Sequence, residues 1–214
     1  SGTASEWAIQ SLFGRITYDY KNKYLFEANA RYDGTSRIAP DTRWGFFPSA
    51  SAAWRISEES FMKETSWLDD LKFRASWGKL GNQNVGTYPY QDVLSTTSYA
   101  FDDLESGVRL TRLVDKKLKW ETTTITDFGL DLNIKNGLFS LTADWYNKFT
   151  DGILYGIPVP ASIGLSAPTV NGGQMKNTGW DFELGHRNNV GKVRYNASLN
   201  FSTFYYNRCK PFGY

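Results

Sequence analysis

The sequence is short of the residues that most chemistry needs. It has one cysteine, Cys209, and one histidine, His186, in 214 residues. A lone thiol excludes an intrachain disulfide and a cysteine-rich metal site. A lone imidazole with no Ser/His/Asp or Cys/His set around it leaves nucleophilic catalysis without machinery, so His186 reads as a surface or interface residue near a strand end. No run of about 18 apolar residues occurs, which removes a transmembrane helix and leaves a transmembrane barrel open. Ser1-Gly2-Thr3-Ala4-Ser5 lacks the basic and apolar regions of a signal peptide, so in an exported protein this chain is expected to be an internal or processed piece. The formal net charge is only +2, with 24 basic and 22 acidic residues interspersed, and this argues against a nucleic-acid partner. The sequence implies no cofactor and no metal.

What is present is aromatic. Phe, Tyr and Trp make up 16% of the chain, yet the mean hydropathy is −0.47, that of a polar protein. Both hold at once when every second residue faces lipid and the others face water, because period-two alternation averages the hydropathy away.

Read in steps of two, the chain gives about eight alternating segments of the roughly 9 to 11 residues that a tilted strand needs to cross a bilayer. They cover about 11–20, 24–33, 46–56, 71–79, 120–134, 138–149, 178–187 and 192–202. The second is the cleanest: Tyr24, Phe26, Ala28, Ala30 and Tyr32 oppose Glu27, Asn29, Arg31 and Asp33. Phe47 breaks the third, where Ser49, Ser51 and Arg55 otherwise hold the polar face. Charges recur on the polar side as Glu27, Arg31, Arg74, Asp131, Asp144, Glu183 and Arg194, which a water-filled lumen tolerates.

The connections alternate as well: short (21–23), long (34–45), intermediate (57–70), very long (80–119), short (135–137), long (150–177) and short (188–191). Outer-membrane barrels have short periplasmic turns and long extracellular loops, so each connection is assigned a side, with 57–70 on the short side and Ser57 as the cap of a brief helix. Asn136-Gly137 is a strong hairpin signal. The stretch 80–119 reads as an unpatterned loop. The alternative architecture is a soluble carbohydrate-binding β-sandwich, in which the same aromatics would be buried between two sheets. An outer-membrane hydrolase is a third, more distant reading.

Several pieces in order resemble one family. They are Phe13-Gly14-Arg15-Ile16-Thr17-Tyr18-Asp19-Tyr20, Arg31-Tyr32-Asp33-Gly34-Thr35-Ser36-Arg37, Trp44-Gly45-Phe46-Phe47-Pro48-Ser49, Leu71-Lys72-Phe73-Arg74-Ala75-Ser76-Trp77-Gly78, Trp120-Glu121-Thr122-Thr123-Thr124 and Lys176-Asn177-Thr178-Gly179-Trp180. Together they resemble the SusC/RagA class of TonB-dependent outer-membrane receptors. The resemblance implies an all-β fold, an antiparallel transmembrane barrel of about 22 strands, of which this chain supplies about eight meandering ones. It also implies an N-terminal plug, energy from TonB, import of glycans or peptides across the bacterial outer membrane, and a SusD-like surface lipoprotein partner. Neither plug nor TonB box is in this chain, so the expectation is a middle piece, with wall over residues 1–204 and an atypical tail over 205–214.

Other motifs carry little. Asp127-Phe128-Gly129 matches a kinase triplet without the glycine-rich loop or His-Arg-Asp loop that would give it meaning. The pairs Glu58/Glu59, Asp69/Asp70 and Asp102/Asp103 read as solvated charges, since adjacent strand residues point to opposite faces. The candidate functional surface is the long-loop side. Trp44, Tyr88, Tyr90, Tyr99, Phe101 and Tyr155 offer flat apolar faces near Asn82 and Gln83, a mixture suited to sugars; the competing reading is that these rings pack the loops together.

Overall fold

The computed structural model describes residues 4–101 and 103–209 of the chain. The expected carboxylate Asp102 and the tail end 210–214 lie outside the described residues, as do the side chains of 99–105 and 207–209.

One eight-stranded antiparallel sheet dominates. Its strands are β1 (Ile9–Tyr20), β2 (Tyr24–Thr35), β3 (Trp44–Arg55), β4 (Leu68–Asn82), β7 (Glu121–Ile134), β8 (Phe139–Asp151), β11 (Gln174–Val190) and β12 (Val193–Cys209), in that spatial order. Two small hairpins, β5 (Leu94–Phe101) with β6 (Asp103–Leu110) and β9 (Leu154–Gly156) with β10 (Thr169–Asn171), stand in the long connections. The eight sheet strands run to 12–17 residues, against the usual five or six of globular strands.

The register explains why. Tyr20, Tyr24, Trp54, Phe73, Leu130, Ala143, Phe182 and Phe201 follow one another across the sheet as directly opposed partners. One residue along, Arg55, Lys72, Asp131, Thr142, Glu183 and Asn200 make the corresponding row on the other face. A strand's side chains alternate, so a one-residue offset turns an apolar row into a polar one. The apolar face is also exposed: Phe26, Tyr32, Phe73, Trp77, Phe128, Trp180 and Phe201 all lie open to the surroundings. In a sandwich these rings would be buried against a second sheet; among the described residues none covers them. The fold is an antiparallel barrel wall, open at β1 and β12 within this chain.

The connections 21–23, 56–67, 135–138 and 191–192 gather at one end of the sheet and 36–43, 83–120 and 152–173 at the other. The connection 56–67 is longer than 36–43, so the expected short–long alternation fails there. Lys135, Asn136 and Gly137 all take positive φ (53°, 61° and 72°), and a Cβ on Gly137 would sit 2.4 Å from the Arg187 guanidinium. The arginine tip can swing away, so it is the left-handed backbone at Gly137 that favours glycine there.

Some expectations change. The stretch 80–119 is not unpatterned: β4 enters it to Asn82, and β5 and β6 pair within it. β5 is Ser/Thr-rich and carries no apolar–polar period, whereas β6 does alternate, with Leu104, Ser106, Val108 and Leu110 at every second position. Ser57 caps no helix. A 3₁₀ turn spans Ile56–Glu58 with Arg55 at its cap position and no side-chain cap bond, while the Ser57 hydroxyl donates to Asp70 (3.0 Å). The seventh and eighth segments lengthen to Gln174–Val190 and Val193–Cys209, and residues 205–209 continue β12. Cross-strand pairing carries these ends beyond their alternating cores.

Candidate functional site

The buried hydrophobic residues of the described chain, Ile38, Ala39, Phe47, Val85, Leu118 and Trp120, all belong to the long-connection end. Phe47 explains its break in the pattern: it is only 7% exposed, on the polar face of β3, and its ring meets Trp120 edge-on at 5.3 Å. It lies over Gly45 and Gly81, where an added Cβ would be 2.4 and 2.0 Å from the ring. The Trp120 indole N–H donates to the Arg43 carbonyl (2.8 Å), and the Thr42 hydroxyl donates to the Leu118 carbonyl (2.6 Å). These bonds fasten the β2–β3 connection to the β4–β7 connection.

The β8–β11 connection joins the same assembly. Asn171 accepts from the Lys119 amide (2.7 Å) and donates to the carbonyls of Lys119 (2.8 Å) and Gly152 (3.0 Å). Glu121 accepts from the Asn82 side chain (3.2 Å) with one oxygen and from the Leu154 amide (3.0 Å) with the other. Ser166 and the 111–113 segment exchange backbone bonds of 2.9 and 3.1 Å. The three long connections therefore form one bonded platform.

Within it the sequence-predicted residues fall as follows. Asn82 ends β4, and its side-chain oxygen accepts from the Asn84 amide (2.9 Å). The Gln83 side-chain oxygen is buried with no partner among the described residues. The Tyr88 hydroxyl donates to the Glu6 carbonyl (3.1 Å), its own carbonyl accepts from Arg112 (2.9 Å), and its ring meets Tyr90 edge-on at 6.3 Å. Tyr155 is on β9, partly exposed, with its ring against Gly172. Tyr99 and Phe101 are on β5. Trp44 is set apart: it is on the outward face of β3, stacked on Tyr32 at 4.9 Å with planes 8° apart. Sequence reasoning missed Ile38, Leu118 and Asn171; Phe47 carried a visible signal, an aromatic on the polar side.

The inward face carries an ion network. Arg74 makes a two-armed contact with Asp131 (2.8 and 3.0 Å) and reaches Asp144 (2.8 Å), while Lys72 also pairs with Asp131 (3.0 Å). Gly129 lies beneath this crossing; a Cβ there would be 2.3 Å from Asp144 and 2.6 Å from Arg74. Arg55 pairs with Asp70 (3.1 Å), and Arg15 with Glu27. Charges arranged this way suit a polar lumen.

Comparison with known proteins agrees with this architecture. The model of the TonB dependent receptor-like β-barrel family matches residues 1–212. The chain belongs to that family. It is 35% identical over 208 residues to the TonB-dependent receptor SusC of Bacteroides thetaiotaomicron, which covers 92% of the chain and 21% of the relative. It is 34% identical over 206 residues to TonB-dependent receptor P3 of Formosa agariphila, covering 94% of the chain and 20% of the relative. Among solved structures, the RagAB peptide transporter superimposes with a TM-score of 0.88 at 29% identity, over 97% of this chain and 23% of that one. The chain is thus a SusC/RagA-type barrel segment, spanning about a fifth of the length of these relatives. The family is one of receptors and transporters, not an enzyme class.

Proposed function

We propose that this chain is part of the wall of an outer-membrane, TonB-dependent receptor that imports an oligomeric nutrient, a glycan or a peptide, with its long connections on the extracellular side. The observation that carries the reading is the exposed apolar face, since its open aromatic rows find a favourable solvent only in lipid. The inward ion network then faces an aqueous lumen. Energy comes from the TonB complex through the N-terminal part of the whole receptor, and a SusD-like surface lipoprotein closes over the extracellular end. Tyr88, Tyr90, Tyr99, Phe101 and Tyr155, with Asn82 and Gln83, are the candidate contacts for substrate or lipoprotein. Aromatic faces beside amides fit both sugars and peptides.

The hairpin of β5 and β6 tests this. The Thr111 amide already bonds the Val93 carbonyl (3.2 Å), so residues 94–110 can be removed in the full-length receptor and the ends joined. The sheet strands keep their own partners, and insertion survives. Uptake and lipoprotein association fall. A correctly inserted deletion mutant with normal uptake and normal lipoprotein binding refutes the assignment.

A further inference from the structure

The wall has a notch that its regular pairing does not explain. The β3–β4 ladder stops at Ser49 and Gly78, whereas β3 stays paired with β2 as far as Trp44 and β4 with β7 as far as Asn82. The next residue of β3 is Pro48, which has no amide hydrogen to offer a ladder. The two strands therefore diverge, and a cavity of about 630 Å³ opens between them. Alternation puts Trp44, Phe46, Trp77 and Lys79 on its outward side, and Lys119 and Trp120 are among the other residues that line it. Phe47 closes it from the lumen side.

Its depth follows from the backbone. Strand segments without partners are not tolerated in hydrocarbon, so the diverging residues lie at the level of the headgroups. Aromatic rings mixed with lysines are what that level selects. The lysine ion pairs among the described residues belong to Lys23, Lys72 and Lys116; Lys79 and Lys119 have none. Asp151, also in the lining, is engaged by the Gln174 amide (2.9 Å). Further down the same two strands, a second outward depression of about 290 Å³ is lined by Phe26, Ala52, Trp54, Phe73 and Ala75. Ala52 is six residues from Phe46, roughly 20 Å of strand, and tilt reduces this toward the depth of one leaflet, about 15 Å.

We propose that the notch and the depression below it are one lipid site. Lys79 and Lys119 hold the phosphate of an outer-leaflet glycolipid headgroup, the rings of Trp44 and Trp77 carry its sugar part, and an acyl chain lies along the alanine floor between Phe26 and Phe73. The inference rests on the membrane-spanning reading given above, and it assigns Trp44 to lipid, not to substrate.

The test uses the full-length receptor, purified in detergent and inserted into vesicles, with monophosphoryl lipid A as probe. Native mass spectrometry after detergent exchange should find this lipid retained by the wild type. Retention should fall at least tenfold in the Lys79→Gln/Lys119→Gln variant and in Ala52→Trp, which fills the acyl groove. Lys116→Gln, a control on a lysine paired with Asp92, should match the wild type. The same lipid without its phosphate should be lost from all of them. Equal retention by wild type and the double-lysine variant overturns the proposal. So does displacement of the lipid by millimolar inorganic phosphate alone, which would mark a free-anion site. A receptor that fails to insert at all refutes the membrane reading and this inference with it, whereas an inserted receptor without lysine-dependent retention refutes the inference alone.

Discussion

Phe47→Ala is the sharpest perturbation of the loop platform. The ring is 7% exposed, and a buried aromatic removes at least about 150 Å² from water. At about 25 cal/mol per Å² this amounts to about 4 kcal/mol, inside the range of about 3–5 kcal/mol found for core Phe→Ala changes. The cluster is thin, and some collapse onto the space over Gly45 and Gly81 reduces the loss to about 3 kcal/mol. The ladders between β3 and its neighbours do not depend on the ring, so the cost falls on local opening of the connections and not on the wall. Three kcal/mol corresponds to about two orders of magnitude in the opening equilibrium. Hydrogen exchange on the inserted receptor should therefore speed up by about a hundredfold at the Thr35, Leu113 and Lys119 amides, which bond Arg43, Ser166 and Asn171. Amides at the middle of β7 and β8 should not change, and Phe47→Leu should restore most of the protection. The reasoning fails if the loop amides exchange as in the wild type, or if β7 and β8 lose protection in step with them.

Three further outcomes follow from the same geometry. Arg at Ala28, on the outward row with Ile16, Ala50 and Trp77, should cost about 2–4 kcal/mol in a bilayer refolding assay, and Arg at its inward neighbour Asn29 much less; equal losses would remove the face assignment. Gly129→Ala should displace Arg74 from Asp144 and destabilise the wall by about 1–3 kcal/mol. The loss should shrink when Arg74 is already Met, and a double-mutant cycle with no coupling would refute the crossing. Glu59, in the β3–β4 connection, accepts hydrogen bonds from Lys23 (2.9 Å), Tyr24 (2.7 Å) and Trp54 (3.2 Å), and these hold its pKa down to about 2. A depressed carboxylate stabilises the fold above its unfolded value near 4.5 and loses that contribution as pH falls toward about 2. Stability measured across that window should drop in the wild type and flatten in Glu59→Gln; identical profiles would sink the assignment.

Much of the wall was legible because a strand writes its faces locally. Tyr24 to Asp33 declare two surfaces in ten consecutive residues, and Asn136-Gly137 declares the turn that reverses the chain. The alternation of connection lengths held except at 56–67, which is longer than the 36–43 connection at the opposite end because pairing extends β2 and β3 into the latter. The β5–β6 hairpin did not show because β5 is a Ser/Thr-rich strand without a period, which left the short alternation of β6 without a partner strand in the sequence.

The candidate site was less legible. Trp44 read as a loop aromatic, yet pairing with β2 extends β3 far enough to put it on the outward face. Sequence alone determined which residues of each strand lie on the outward apolar face and which on the inward polar face, because that choice repeats every second position. Tertiary structure alone decided the platform and the notch. Thr42 meets Leu118 across 76 positions and Arg43 meets Trp120 across 77, and the split between β3 and β4 depends on two ladders ending at different heights. Contacts between residues so far apart in the chain leave no local periodicity, so only the assembled sheet brings them together.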